Sequence, residues 1–123
     1  MEKQTKAIED YLEAVLIIKE RKEAVKSVKI ANLLHVSKPA VAKAMKELLE
    51  LNYIEKVAYG EIELTQSGLK IAKETYKKHK LIREFLMSID VPENIAEHDC
   101  CLIEHVISDE TLVKIKDFLK QKK

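Results

Sequence analysis

Along most of this chain, apolar residues recur every three or four positions, and residues that interrupt helices are rare. The chain has only two glycines and two prolines, which are Gly60, Gly68, Pro39 and Pro92. This combination predicts a mainly α protein. A first helix is predicted from about Thr5 to Lys22. Its apolar face consists of Ile8, Tyr11, Leu12, Val15 and Leu16.

Two short helices are predicted next, joined by the tight turn Leu34-His35-Val36. The first of them begins with Ser27. The second follows Ser37, a good N-cap, and has Pro39 in its first turn, where the missing N–H costs nothing. Two short helices with such a connection form a helix-turn-helix, whose second helix enters the major groove of DNA with its N-terminal residues against base edges.

The segment NYIEKVAYGEIELT, residues 52–65, has the pattern of a β-hairpin. Residues that favour strands lie on either side of the turn 58–61. They are Tyr53, Ile54 and Val57 before the turn, and Ile62 and Leu64 after it. A hairpin directly behind a helix-turn-helix forms a wing. Residues 1–65 are therefore predicted to be a winged-helix DNA-binding domain.

Residues 66–123 return to a helical pattern. A long helix is followed by one that Pro92 opens and that continues to about Ile107. Ser108 is predicted to cap a last helix, whose first turn carries Asp109 and Glu110, as the helix dipole favours. These helices have more apolar face than one chain can cover. We therefore expect a helical dimerisation domain and a homodimer, as two-fold symmetric DNA sites require.

The net charge of the chain is only +1, but basic residues are concentrated in the predicted helix-turn-helix. No acidic residue occurs between Ala24 and Met45, and a local basic stripe of this kind is typical of a DNA-facing surface. We predict contacts with double-stranded DNA from this stripe, from the start of the second helix and from the wing. The residues are Lys29, Ser37, Lys38, Pro39, Ala40, Lys43, Lys46 and Tyr59.

The composition sets outer limits. With 123 residues, 46% apolar and 35% charged, the chain is one domain or two small ones with a real core. It has no apolar run long enough for a membrane span, and its first residues lack the apolar core of a signal peptide. We therefore expect a cytoplasmic protein without a membrane partner, in which cysteines stay reduced.

The most unusual stretch is EHDCCLIEHV, residues 97–106, which combines thiols, imidazoles and carboxylates. On a helix, Cys101, Glu104 and His105 would stand at i, i+3 and i+4 and project from one face. These ligand types suit a divalent transition metal. Three ligands do not close a site. Asp10 and Glu13, at i, i+3 on the first helix, and His79 are the candidates for the rest.

The order of these segments resembles the diphtheria toxin repressor family of metal-dependent regulators, including its shorter manganese transport regulator branch. The matching segments are EDYLEAVL (9–16), IANLLHVSKPAVAKAMKELLELNYIEK (30–56), IELTQSGLKIA (62–72), KHKLIREFL (78–86) and CLIEHVISDE (101–110). The resemblance implies a metal site formed by Asp10, Glu13, His79, Cys101, Glu104 and His105. It also implies that the SH3-like third domain of the longer members is absent here.

The chain departs from both branches of this family. Cys101 resembles the iron-dependent members, whereas Asp10 and Glu13 resemble the manganese-dependent ones. The expected cofactor is therefore Fe²⁺ or Mn²⁺, with Zn²⁺, Co²⁺ or Ni²⁺ as surrogates, and the thiolate favours Fe²⁺. Arg83 and Glu97 replace ligands of an ancillary site in the iron branch, so we expect that site to be altered or lost.

Other residues near the predicted sites also depart from the family or have no role. His98 is displaced by one position from the ancillary histidine, and Cys100 has no assigned role. Ala40 replaces a common serine, and the wing lacks the family's arginine beside Tyr59.

The sequence thus predicts a metal-dependent transcriptional repressor that controls metal-homeostasis genes. Two alternatives stay open: a thiol-based redox-sensing regulator that uses Cys100 and Cys101 near His105, and a winged-helix module for protein contacts. No arrangement of nucleophile and base and no glycine-rich phosphate loop occurs, so neither an enzyme nor a small-molecule substrate is expected.

Overall fold

The structure is a computed structural model that describes residues 5–121, and its secondary structure is mostly helical. Its elements in chain order are α1 (Lys6–Glu20), α2 (Ser27–Leu34), α3 (Lys38–Glu50), β1 (Ile54–Lys56), β2 (Ile62–Leu64), α4 (Gln66–Ser88), α5 (Glu93–Ile103) and α6 (Asp109–Gln121). This order confirms the predicted winged helix-turn-helix followed by helices. Within the described residues, no helix combines the length and the apolar character needed to cross a membrane.

The chain divides into two compact units, one up to Lys73 and one from Glu74, so α4 contributes to both. The domain boundary predicted at residue 65 stays a prediction.

The core of the first unit forms where α1, α2, α3 and the hairpin meet. Each of these elements contributes at least one side chain that is almost completely buried. The set comprises Leu12, Val15, Ile30, Val41, Leu48, Ile54 and Ile62. Burying a Leu, Ile or Val side chain contributes about 1.5–3 kcal/mol. This shared core therefore holds α3 in place, the helix predicted to contact DNA bases and called the reading helix below.

Two helices in this unit begin with side-chain caps, of which the one from Ser37 was predicted. The Thr5 hydroxyl accepts a hydrogen bond from the Ile8 N–H at 3.2 Å, and the Ser37 hydroxyl accepts one from the Ala40 N–H at 3.2 Å. Between α2 and α3, His35 adopts a left-handed conformation with φ 56°. This single residue turns the chain between the two helices of the helix-turn-helix.

The wing is an antiparallel hairpin in which Ile54 lies opposite Leu64. Two bonds attach it to the segment before α2. The Ile62 N–H donates to the Val25 carbonyl at 3.0 Å, and the Lys26 ammonium group donates to the Tyr59 carbonyl at the tip of the wing. The wing is therefore anchored to the helix-turn-helix rather than only to its own strands.

Gly68 lets the start of α4 approach the hairpin closely. A Cβ atom at this position would lie 2.0 Å from the carbonyl oxygen of Tyr53, which is far inside van der Waals contact. The Thr65 hydroxyl also accepts from the Gly68 N–H at 3.2 Å. Close packing against Tyr53 therefore requires a glycine at this position of α4.

The second unit corrects one prediction. Helix α5 ends at Ile103, not at about Ile107, and the N–H groups of Val106 and Ile107 both donate to the Ile103 carbonyl at 3.0 Å. A short turn then leads to Ser108, which caps the next helix. The Ser108 hydroxyl accepts from the Thr111 N–H at 3.2 Å, as predicted for the start of α6.

Candidate metal centre and nucleic-acid interface

His79 lies on the buried face of α4. Helical spacing brings Thr75, His79 and Ile82 to this face, and His79 is only 4% exposed. Both ring nitrogens have carboxylate neighbours. Nε2 is 2.8 Å from Oε1 of Glu97, and Nδ1 is 3.1 Å from Oε2 of Glu104. A histidine in the basic run KKHK is thereby the centre of a polar cluster inside the second unit.

Both cysteines lie near this ring. The Cys100 sulfur is 3.6 Å from each ring nitrogen of His79, and the Cys101 sulfur is 3.8 Å from Nδ1. Cys100 is completely buried, Cys101 is partly buried, and both are free thiols. The Cys100 thiol also donates to the Glu97 carbonyl oxygen at 3.3 Å. Two sulfur atoms and an imidazole therefore lie within ligand distance of a common point.

Proton affinities in the cluster differ sharply between neighbours. Hydrogen bonds from Cys100 and then from His79 lower the pKa of Cys101 to about 5. The same bond to Cys101, followed by burial, raises the pKa of Cys100. Burial raises the pKa of Glu104 above its usual range. The lowered pKa of Cys101 favours the thiolate, the form in which cysteine binds metals.

Glu104 has a buried oxygen atom that suits a cation. Its side chain is fully buried, and Oε1 accepts no hydrogen bond from the residues that the structure describes. Nε2 of His105 is 3.3 Å from this oxygen. A buried oxygen without a hydrogen bond costs about 1–3 kcal/mol, which a metal ion would offset. The donors present in this unit thus fit a divalent transition ion.

Because α5 ends early, Glu104 is its C-cap and His105 follows in the turn. The predicted face of Cys101, Glu104 and His105 therefore continues past the end of α5, and its role in metal binding stays a prediction. The His105 side chain is nevertheless only 5% exposed and contacts Glu104. The structure brings His79, Cys101, Glu104 and His105 together, although by a turn rather than by a continuous helix.

Asp10 and Glu13, the remaining predicted ligands, belong to the first unit. Both lie on α1, where Oδ2 of Asp10 is 2.7 Å from the Lys6 ammonium nitrogen and Glu13 is 6% exposed. The burial of Glu13 shows that this residue does not lie on the solvent-exposed side of the amphipathic helix α1. Their membership in a metal site stays a prediction.

Sequence reasoning missed two neighbours of His79, namely Cys100 and Glu97. Ala96 and Cys100, one helical turn apart, are both completely buried, and this spacing is the signal that could have placed Cys100 inward. Glu97 also has its second oxygen 3.7 Å from Nε of Arg83. His98, in contrast, is 75% exposed at its side chain and pairs with Asp99.

The predicted DNA-contacting residues lie mainly on one exposed face of α3. Val41, Met45 and Leu48 cover the opposite, buried face. The exposed members are Lys38, Pro39, Ala40, Lys43 and Lys46. Ser37 is exposed and caps α3, and Tyr59 is 94% exposed at the wing tip. Lys29 is half-buried and forms an ion pair with Glu23 at 3.3 Å.

Comparison with known proteins gives matches over nearly the whole chain. Residues 3–62 match the family model of the iron dependent repressor N-terminal DNA binding domain. Residues 65–123 match the model of the iron dependent repressor metal binding and dimerisation domain.

Individual proteins agree with these family models. An uncharacterized HTH-type transcriptional regulator of Methanocaldococcus jannaschii is 37% identical over 119 residues, which are 95% of each chain. The transcriptional regulator MntR of Escherichia coli is 36% identical over 115 residues, covering 93% of this chain and 74% of that protein.

A solved structure of the manganese regulator SloR superposes with a TM-score of 0.82 at 31% identity over 95% of this chain. This chain spans 55% of that structure, or about half its length. The predicted relationship is confirmed, and the chain belongs to the iron-dependent repressor family of metal-dependent transcriptional regulators.

Proposed function

We propose that this chain is a transcriptional repressor that binds double-stranded DNA when a divalent transition metal is bound, and that it has no enzymatic activity. The buried Glu104 carboxylate beside two imidazoles and a thiolate carries the proposal. The similarity to the transcriptional regulator MntR and to the manganese regulator SloR supports it.

The proposed ligands within the second unit are His79, Cys101, Glu104 and His105. A bound ion would supply positive charge that offsets the negative charges of the buried Glu104 carboxylate and the Cys101 thiolate. The residues hold it through one thiolate sulfur, carboxylate oxygens and imidazole nitrogens. Such a mixed set accommodates Fe²⁺ and Mn²⁺ and admits Zn²⁺, Co²⁺ and Ni²⁺.

We include Asp10 and Glu13 among the ligands because of their i, i+3 spacing and the family resemblance. If the ligands come from both units, a bound metal would restrict the orientations in which the reading helix can meet DNA. A metal that binds the DNA-competent arrangement more tightly raises DNA affinity by the same factor, since linkage is reciprocal.

The proposed DNA-contacting surface is the exposed face of α3 together with the wing. Its lysines would neutralise phosphates, which makes binding dependent on salt, while the N-terminal residues of α3 reach base edges. A homodimer would place two such helices about 34–36 Å apart, one DNA turn. Apolar side chains that are exposed in the second unit, including Leu102, Val106 and Val113, support dimerisation.

The test is a fluorescence anisotropy titration with a DNA duplex selected from random sequences by the metal-loaded protein. Adding Mn²⁺, Fe²⁺ or Zn²⁺ to metal-free protein should raise DNA affinity about 5–150-fold, the usual range of allosteric coupling. The double variant Glu104→Ala/His105→Ala should lose this response.

A matched double variant, Glu110→Ala/His98→Ala, removes the same two side-chain types outside the cluster and should respond like the natural protein. Equal DNA affinity with and without each metal would refute the proposal. So would an unchanged metal response in Glu104→Ala/His105→Ala.

One alternative function has its own observation. The low pKa of Cys101 is typical of a thiol that reacts with oxidants, so a redox-sensing regulator stays in view. It predicts a peroxide-dependent change in DNA affinity that persists after complete removal of metal by a chelator. The metal-dependent repressor predicts that chelation alone already abolishes high-affinity binding.

A further inference from the structure

We propose that Cys100 is itself a metal ligand, and that Cys100, Cys101 and His79 together bind a thiophilic ion of the Zn²⁺ or Co²⁺ class. The inference rests on the proposed function, because it names the class of ion that the same cluster takes. It assigns a role to the cysteine for which neither the sequence pattern nor the family resemblance gives one.

The two sulfur–nitrogen distances match a tetrahedral site. Zinc binds sulfur at about 2.3 Å and imidazole nitrogen at about 2.0–2.1 Å, so a tetrahedral angle separates the two donors by roughly 3.6 Å. The Cys100 sulfur is 3.6 Å and the Cys101 sulfur 3.8 Å from Nδ1 of His79. All three ligand atoms also lie within 4.8 Å of one another.

A fourth donor of suitable chemistry is adjacent. Oε2 of Glu104 is 3.1 Å from the same Nδ1 atom. The two sulfurs and the imidazole supply three of the four donors that zinc takes in protein sites, and Glu104 lies beside the imidazole. Nδ1 of His79 is near Cys101 and Glu104, whereas the Cys100 sulfur is equally distant from Nδ1 and Nε2.

Glu97 and Arg83 orient this imidazole. Nε2 of His79 is 2.8 Å from Oε1 of Glu97, and in the tautomer with its proton on Nε2 this carboxylate accepts the hydrogen bond while Nδ1 would bind the metal. The other Glu97 oxygen is 3.7 Å from Nε of Arg83. A carboxylate that holds the outer nitrogen of a ligand histidine is a recurrent feature of metal sites. Arg83 and Glu97, which replace the ancillary ligands of the iron branch, would thus act as outer partners of one ion.

The donor set also decides which ions are favoured. Thiolate and imidazole ligands select zinc, cobalt and iron, whereas manganese prefers carboxylate and carbonyl oxygen. A second thiolate in a completely buried position moves the site further from manganese. The competing explanation is that Cys100 only packs in α5 and donates to the Glu97 carbonyl, as its 3.3 Å contact allows.

The first test uses Co²⁺ added to reduced, metal-free protein under anaerobic conditions. The absorbance band from thiolate-to-cobalt charge transfer reports the number of sulfur ligands. Cys100→Ala should remove about half of this band, as should Cys101→Ala, and the double variant should remove all of it. Ala96→Ser alters the same buried face of α5 without removing a donor and should keep the full band.

Zinc affinity gives a second measure by competition with a chromogenic chelator. Loss of an outer-shell partner weakens metal binding by roughly 10–100-fold. Loss of a direct ligand in Cys100→Ala should weaken Zn²⁺ binding by at least as much. Binding of Mn²⁺ should change much less. Because Cys100 is buried, X-ray absorption of the zinc-loaded natural protein provides a check without any variant. It should show two sulfur neighbours at about 2.3 Å.

One or no sulfur neighbour, or a full cobalt band in folded Cys100→Ala, would overturn the inference. These outcomes are separable from failure of the proposed function. If metals raise DNA affinity but a single sulfur binds, the repressor stands and the role of Cys100 falls. If two sulfurs bind but no metal changes DNA affinity, the site stands and the repressor falls.

Discussion

The cluster around His79 and the exposed face of α3 carry the chain's two sets of functional polar groups in opposite surroundings. His79 and Glu104 are 4% and 2% exposed, whereas Lys43 and Lys46 point into solvent. Charges interact several times more strongly near or inside a protein than in water, where salt also screens them. The same unit of charge therefore has very different consequences in the two regions.

This difference separates a cooperative site from an additive one. In the cluster, His79 contacts Glu97, Glu104, Cys100 and Cys101, so a change at one residue alters the environment of the others. Energies of residues in one such network do not add. On α3, each exposed lysine is expected to act separately on the DNA. We therefore expect the effects of substitution to decrease from the cluster to the surface.

The largest effect is expected for His79→Ala. It removes the donor that Glu104, Cys100 and Cys101 all contact, so metal affinity should fall more than 100-fold, or by more than about 2.7 kcal/mol. His98→Ala is the matched control, because His98 lies on the same unit but is 75% exposed at its side chain. Calorimetric titration with Zn²⁺ and Mn²⁺ measures both variants. Similar losses in the two variants would erase the contrast between buried and exposed histidines.

Local chemistry made the reading helix predictable. The Ser37 cap, the proline in the first turn and the buried stripe of α3 all depend on residues within a few positions of one another. The wing was likewise placed correctly, with β1 and β2 on either side of the predicted turn. Such features follow from hydrogen-bonding and packing preferences that the sequence displays directly.

The cluster could be predicted only in part, because its geometry depends on packing between helices. Sequence spacing nominated Cys101, Glu104 and His105, but it did not show that α5 ends at Ile103. The approach of Glu97 and Cys100 to His79 joins residues about 20 positions apart along the chain. No periodicity within one helix encodes such a contact.

An intermediate effect is expected for Ser37→Ala, which removes the cap of the reading helix. Loss of a serine N-cap costs about 1 kcal/mol of unfolding free energy. Ser27→Ala provides the control, because Ser27 is the first residue of α2 and Lys26 is its N-cap. We expect that variant to stay within about 0.5 kcal/mol of the natural protein. Urea unfolding of metal-free protein measures both, and equal destabilisation would show that capping does not distinguish these serines.

The smallest effect is expected for Lys43→Gln on the exposed face of α3. Loss of one phosphate contact should make the slope of log affinity against log salt shallower by about 0.9 and weaken binding to all sequences alike. Lys114→Gln, an exposed lysine of α6, should leave the slope unchanged. Anisotropy titrations at several salt concentrations give the slopes, and each should be measured with and without metal.

The ratio of metal-loaded to metal-free affinity should be the same in Lys43→Gln as in the natural protein, because the lysine acts on DNA alone. A changed ratio would mean that the face of α3 takes part in metal coupling, and the separation between a cooperative cluster and an additive surface would then fail.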